Sequence, residues 1–260
     1  MPREATRSDS KRKKAKPGKA RLDVLLIERG LAPSRQRAQA LILAGQARVD
    51  GVRIDKAGTP VASDARIEIA GEPLRYASRA GLKLEGALED FTLSPRDRVC
   101  TDVGSSTGGF TDCLLQKGAR RVFAVDVTID QLDWKLQNDS RVVTVEKNAR
   151  YLRPEDFTEA ADFVTVDVSF ISVSKILGNL VSLVAQGADF VVLIKPQFEL
   201  EKRAVGKGGI VRDPALHQKA IDSVTQAAAA AGLEIIGVRP SRVAGAQGNQ
   251  EFFLHARRRR

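Results

Sequence analysis

Apolar residues at helical spacing come first along the chain: Leu22, Leu25 and Leu26 precede Gly30, a residue suited to a left-handed helix end. Ser34 then stands where a helix cap is expected, ahead of Ala38, Leu41 and Ile42. The pattern changes to alternation in Arg48-Val49-Asp50-Gly51-Val52-Arg53-Ile54, where Asp-Gly marks a tight hairpin, and Arg66 to Ile69 supplies a further strand. From Val99 onward short β-rich runs alternate with helical ones. Strands are predicted near 99–103, 122–126, 142–145, 163–167, 190–194, 234–238 and 251–255, and helices at about 109–117, 174–186 and 214–231. Asp213 as cap, Pro214 in the first turn and Gly232 past the end delimit the last helix. This alternation predicts an α/β fold with a doubly wound sheet. The last two strands have no room between them for a helical crossover, so they should pair antiparallel.

Residues 1–20 are rich in Lys, Arg, Ser and Pro with almost no large apolar residue, which predicts a disordered basic tail. The expected organisation is that tail, a small α+β module over 21–76, a larger α/β domain over 77–256 and a basic end over 257–260. The net charge of +10 is concentrated at the ends, in residues 1–21 and in Arg257 to Arg260, leaving the rest close to neutral. Such tails attract polyanions without reading sequence, and they also serve simply as solubilising segments. Arg35 and Arg37 sit in a first helical turn, where the helix dipole disfavours cations, so an external phosphate is a plausible partner. The most apolar stretch, 181–194, is interrupted by Gln186, Gly187 and Asp189, so no membrane span is expected. No secretory segment opens the chain, and the cytoplasm is the expected compartment. Cys100, Cys113, His217 and His255 are too few and too scattered for a metal site, so no metal is expected.

Candidate chemistry clusters at strand ends. Asp102-Val103-Gly104-Ser105-Ser106-Thr107-Gly108-Gly109-Phe110 follows a strand and opens a helix, with glycines that let a ligand approach the backbone, but its spacing is not the dinucleotide GxGxxG. A nucleotide-phosphate loop is the rival reading. Asp126 ends the second strand, where an acid accepts the ribose hydroxyls of an adenosine cofactor, NAD included. Asn148 follows the third strand and suits either an adenine contact or a simple turn. Asp167 closes the fourth strand and Lys195 the fifth. A lysine after Phe-Val-Val-Leu-Ile is costly to bury unpaired, so Asp167 is its expected partner, structural or functional.

Several of these features resemble known families. Arg21-Leu22-Asp23, Gly30-Leu31, Ser34-Arg35, Ala38 and Leu41-Ile42 before Gly45 resemble the S4-like RNA-binding domain. Gly104 with Gly108-Gly109 resembles the first motif of S-adenosylmethionine-dependent enzymes, which implies a Rossmann-like seven-stranded sheet with an antiparallel last strand. In that reading Asp102, Gly104, Ser105, Thr107, Gly108, Gly109, Phe110, Asp126 and Asn148 bind S-adenosylmethionine, with Asp102 meeting its ammonium. Lys83, Asp167, Lys195 and Glu251 resemble the Lys-Asp-Lys-Glu tetrad of the FtsJ-like ribose methyltransferases. Lys195-Pro196-Gln197-Phe198-Glu199 and Gly206-Lys207-Gly208-Gly209-Ile210-Val211-Arg212-Asp213-Pro214 are similar to the TlyA family among them.

That family resemblance implies 2′-O-methylation of cytidines in ribosomal RNA, on isolated RNA or on ribosomal subunits, and carries the label hemolysin beside it. Arg21, Arg35, Arg37, Arg48, Arg53 and Lys207 are then candidate RNA contacts. Lys195 is the expected general base, a role open to a lysine whose proton affinity is lowered by burial or by another cation. Lys83 would favour its neutral form or stabilise the developing oxyanion, and Asp167 and Glu251 would orient both ammonium groups. The alternatives are an RNA-binding protein with an inactive methyltransferase fold, a membrane-active hemolysin and, from the fold alone, an NAD oxidoreductase. An inactive fold would not need the tetrad, and no strongly amphipathic segment supports the lytic reading.

Overall fold

A computed structural model describes residues 18–32, 34–70, 75–245 and 248–259, without the side chains of Lys202 and Lys207. The expected tail therefore lies outside the described residues up to 17. The chain divides into two compact units, Met1–Gly71 and Glu72–Arg260.

In the first unit β1 (Lys19–Arg21) leads into α1 (Leu22–Glu28) and α2 (Arg35–Leu43). Gly30, at φ +68°, lets the chain turn back after α1, so that Leu31 N–H reaches the Leu26 carbonyl at 2.8 Å. Ser34 caps α2 by accepting from Arg37 N–H at 3.2 Å. Strands β2 (Ala47–Val49), β3 (Val52–Arg53), β4 (Pro60–Ala62) and β5 (Ile67–Ile69) follow. β2 pairs antiparallel with β3 and β5, and the hairpin turns at Asp50 and Gly51, both at positive φ as a type I′ turn demands. A second ladder, β1 with β4, was not foreseen, because three-residue strands carry too little alternation to be read from sequence. Leu22, Leu26, Ala38, Ile42 and Ala47 are fully buried between the helices and the sheet.

The second unit begins with α3 (Ala80–Asp90). It continues through β6 (Val99–Val103), α4 (Gly109–Gln116), β7 (Arg121–Asp126), α5 (Trp134–Gln137), β8 (Val142–Glu146), β9 (Ala161–Val166) and α6 (Ser174–Ser182). The remaining elements are β10 (Val184–Ile194), α7 (Pro196–Glu199), α8 (Pro214–Ala230), β11 (Leu233–Pro240) and β12 (Phe252–Arg258). Seven strands form one sheet in the order β11-β12-β10-β9-β6-β7-β8, with β12 antiparallel to both neighbours, β10 and β11. Leu84, Leu88, Phe110 and Leu114 of α3 and α4 cover one face against Phe163, Val191 and Phe253. Ile176, Leu177, Ala220 and Val224 of α6 and α8 cover the other against Phe123, Val164 and Val192. Both faces are buried, as a mainly parallel sheet requires.

Several boundaries differ from expectation, and β12 runs on to Arg258, so Arg257 and Arg258 of the expected basic end belong to the sheet. α6 stops at Ser182 rather than 186, because β10 already pairs at Val184 with Ala161; its register breaks before resuming at Asp189 with Phe163. Leu180, Val181, Leu183 and Val184 suit a helix or a strand equally, and the neighbouring strand decides. β9 ends at Val166, leaving Asp167 just beyond it, and Glu251 lies just before β12 rather than in it. Among the described residues no helix is long and apolar enough to cross a membrane.

Candidate active site

The carboxyl ends of β6, β7, β8, β9 and β10 share one edge of the sheet, and a cavity of about 610 Å³ opens there. Gly104, Asp126, Asn148, Asp167 and Phe170 are on its wall. A smaller recess of about 210 Å³ is lined by Ser78, Ser105, Thr107, Gly109, Phe110 and Lys195, and the two hollows share Gly104, Ser106, Asp167 and Ser169. Their common wall is thus the loop after β6 and the loop after β9.

Gly104 is required where those loops meet. Its φ is +87°, and a Cβ there would lie 2.4 Å from the Asp167 carbonyl oxygen. Ser105 Oγ is buried and has no hydrogen-bond partner among the described residues, although it borders the recess. An orphaned hydroxyl beside a backbone that only glycine can follow fits a polar ligand seated in the hollow. Asp126 accepts from Ser106 N–H at 2.8 Å through one oxygen and from Val127 N–H at 2.7 Å through the other. Each oxygen keeps a second lone pair able to accept a further donor, and Asp126 lines the cavity.

Other expected cofactor residues take different places. Asp102 is completely buried, and its oxygens accept from Thr111 Oγ1 at 2.7 Å and Thr165 Oγ1 at 2.9 Å. It ties β6 to α4 and β9, and burial pushes its carboxyl up to about 7, the two threonine hydroxyls acting against that rise. Gly108, at φ +92°, touches neither hollow and instead admits Leu136 and Leu132. Phe110 borders the recess but is chiefly core, 6.1 Å from Phe253 between ring centres. Asn148 Oδ1 caps the following turn by accepting from Arg150 N–H at 3.0 Å, the turn role weighed for it, while its residue still lines the cavity.

The four tetrad residues form two ion pairs. Lys195 Nζ approaches Asp167 Oδ1 at 2.5 Å without hydrogen-bond alignment, and its directed bond goes to Ser169 Oγ at 2.8 Å. This pair faces the recess. Lys83 Nζ instead donates to Glu251 Oε2 at 2.6 Å, where Glu251 is only 2% exposed. Glu251 thus holds Lys83 rather than orienting both lysines, and neither residue lines a hollow. Antiparallel pairing of Ile194 with Phe252 carries Lys195 and Glu251 to the same end of adjacent strands, although they lie more than fifty positions apart in the chain.

The loop after β9 contributes residues that sequence reasoning passed over. Ser169 holds Lys195, and Phe170, 92% exposed with φ +65°, stands at the cavity mouth. The available signal was an aromatic residue three positions after a candidate catalytic acid, in a loop that has no core to fill.

In the first unit Asp23 has no exposed surface and gathers Arg21 (2.9 and 2.8 Å), Arg35 (3.2 Å) and Gln39 (3.1 Å). These donors, Arg21 foremost, hold its carboxyl well below the usual carboxylate range. Arg35 therefore has an internal anion at the start of its helix and does not need an external phosphate to explain it. Arg48 lies across from Arg53 and from Glu68 in the three-stranded sheet, and Arg53 folds its guanidinium over Gly45. Arg37 occupies the first turn of α2, and the Lys207 side chain lies outside the described residues.

Comparison with known proteins places these features. The FtsJ-like methyltransferase profile matches residues 76–258, and the S4 domain profile matches 20–67. The Bacillus subtilis (strain 168) protein YqxC is 49% identical over 91% of this chain and 85% of its own. The 16S/23S rRNA (cytidine-2′-O)-methyltransferase TlyA of Mycobacterium tuberculosis is 44% identical over 92% of this chain and 90% of its own. A solved structure from Streptococcus thermophilus, described under the name hemolysin, is 43% identical with a TM-score of 0.73, covering 93% of this chain and 89% of that one. On these matches, and with the seven-stranded sheet described above, the chain belongs to the TlyA family of FtsJ-like methyltransferases.

Proposed function

We propose that this protein is an S-adenosylmethionine-dependent enzyme of the cytoplasm that methylates the 2′-hydroxyl of cytidines in ribosomal RNA. The observation that carries the reading is Lys195, which lines the recess and is held there by Asp167 and Ser169, two residues common to both hollows. The Mycobacterium tuberculosis relative named for this reaction supports the substrate. The S4 domain supports RNA as the partner, and RNA rather than DNA follows from the 2′-hydroxyl.

S-adenosylmethionine, when bound, supplies an electrophilic methyl group. Asp126 would hold its ribose, and Ser105 Oγ with the backbone around Gly104 would face its amino-acid arm. The chain's own work is positioning and proton removal. Holding the acceptor oxygen in line replaces a rare collision with a fixed geometry. Lys195 Nζ would take the 2′-hydroxyl proton as the methyl group passes from the sulfonium sulfur to that oxygen, the cofactor leaving as a neutral thioether. Asp167 and Ser169 fix where that nitrogen points. Lys83 and Glu251, paired at 2.6 Å at the same sheet edge, set the end of β12 beside it. Phe170 offers its exposed ring to the base of the nucleotide being modified, since an aromatic face stacks on any base.

Tritiated S-adenosylmethionine incubated with ribosomal subunits or their RNA tests the reading. Label on a ribose, reduced at least about a hundredfold in Lys195→Ala with cofactor binding retained, is the expected result. Cofactor binding without ribose label would overturn the substrate, and full activity in Lys195→Ala would remove the base assignment.

A further inference from the structure

The loop after β9 and the segment after β10 are strapped together at three successive levels. At the first, Lys195 meets Asp167 and Ser169. At the second, the rings of Phe170 and Phe198 lie 5.3 Å apart at 49°. At the third, Glu199 accepts from Ser172 Oγ at 2.6 Å and from Val173 N–H at 3.0 Å. Ser172 Oγ is also 2.6 Å from Ser174 Oγ, so the carboxylate anchors the turn that opens α6.

Between the first and third levels sits Phe170, at φ +65°. A bulky side chain in left-handed backbone is strained, and such strain persists only where the surroundings over-determine it. Burial does not hold it there, because Phe170 is 92% exposed. The restraint comes from its flanks: Ser169 is tied to Lys195, and Ser172 and Val173 are tied to Glu199. Glu199 lines neither hollow, and its two oxygens are engaged by Ser172 and Val173. Its carboxyl is raised by burial, with Ser172 and Val173 opposing that rise, and a partly buried acid is retained on this short helix at a cost in desolvation.

We infer that Glu199 is a positioning residue: through Ser172 and Val173 it holds the strained loop that presents Phe170 to the target base and Ser169 to Lys195. The inference deepens the proposed RNA methyl transfer and rests on it for the identity of the base.

A double-mutant cycle tests it, using the full chain and two readouts, the dissociation constant for ribosomal RNA and the single-turnover rate of methyl transfer. Glu199→Ala should weaken RNA binding and slow transfer by about tenfold each, the scale of one lost stacking contact, with S-adenosylmethionine affinity within about twofold of wild type. In a Phe170→Ala background the same substitution should change RNA binding by less than about twofold, because the ring it positions is gone. Glu199→Gln keeps its amide oxygen as acceptor for Val173 N–H and offers an N–H that the Ser172 hydroxyl can accept, so it should restore binding and rate to within about threefold.

Additive effects of Glu199→Ala and Phe170→Ala on RNA binding would overturn the inference. So would a Glu199→Gln variant as impaired as Glu199→Ala, or losses that track the melting temperature in both. If the wild-type chain binds RNA but transfers no methyl group, the proposed function fails, while the cycle on RNA binding still decides the role of Glu199.

Discussion

Asp102 shows how far one residue's role can move when its surroundings are known. Its place at the end of β6 marks a cofactor loop, but its carboxylate faces two threonine hydroxyls inside the protein. With its folded-state value raised to about 7, the group is protonated in the folded chain and ionised in the unfolded chain across roughly pH 4 to 7. Folding therefore binds a proton in that window, and stability falls as pH rises through it. Asp102→Asn removes this dependence. Urea titrations at pH 5 and pH 8 should show the variant gaining relative to wild type at the higher pH, by on the order of a few kcal/mol. Parallel pH trends for the two proteins would mean that Asp102 stays ionised in the fold. Asp23 has the opposite sign: its depressed carboxyl stabilises above the ordinary carboxylate range, and that contribution is lost as pH falls.

At the scale of elements, local signals and tertiary pairing divide the work. α8 starts where its cap predicts, with Asp213 accepting from Ala215 N–H at 2.9 Å and Pro214 in the first turn. Asp213→Ala should cost about 1 kcal/mol, typical of a lost cap, and leave methyl transfer unchanged. Denaturant midpoints check the first number. A concurrent loss of activity would assign Asp213 more than a cap. The Asp50-Gly51 hairpin was equally legible, since its two residues must adopt positive φ together. The start of β10 was not, because an apolar run carries no mark of where its helix stops and its strand begins.

For the whole molecule, the proposed function divides between two units of different chemistry. Capture of RNA by cations is electrostatic and weakens with salt, whereas the chemistry at Lys195 is not set by that release of counterions. If Arg48 contacts a phosphate, Arg48→Gln should lower the slope of log binding constant against log salt by about 1 and leave the transfer rate at saturating RNA unchanged. Lys195→Ala should do the reverse. An unchanged slope in Arg48→Gln would take Arg48 out of the RNA contact. Arg21 and Arg35 are poorer probes, because removing either leaves the buried Asp23 short of a partner and disturbs the fold as well.

The same division separates what was written along the chain from what the fold assembled. Hydrophobic periodicity and turn chemistry determined the two-part organisation, the mainly parallel sheet with its antiparallel last strand, and the glycine loop at Gly104, because each is expressed by residues close in sequence. The Lys195–Asp167 pair was also foreseeable, since adjacent parallel strands end side by side. Only the tertiary structure decided that Lys83 belongs to Glu251, that Asp102 turns inward, that Asp23 claims Arg35, and that Glu199 reaches back to Ser172. Each of those outcomes depends on which long-range partner satisfies a charged or polar group taken out of water, and residue type and spacing do not specify that partner.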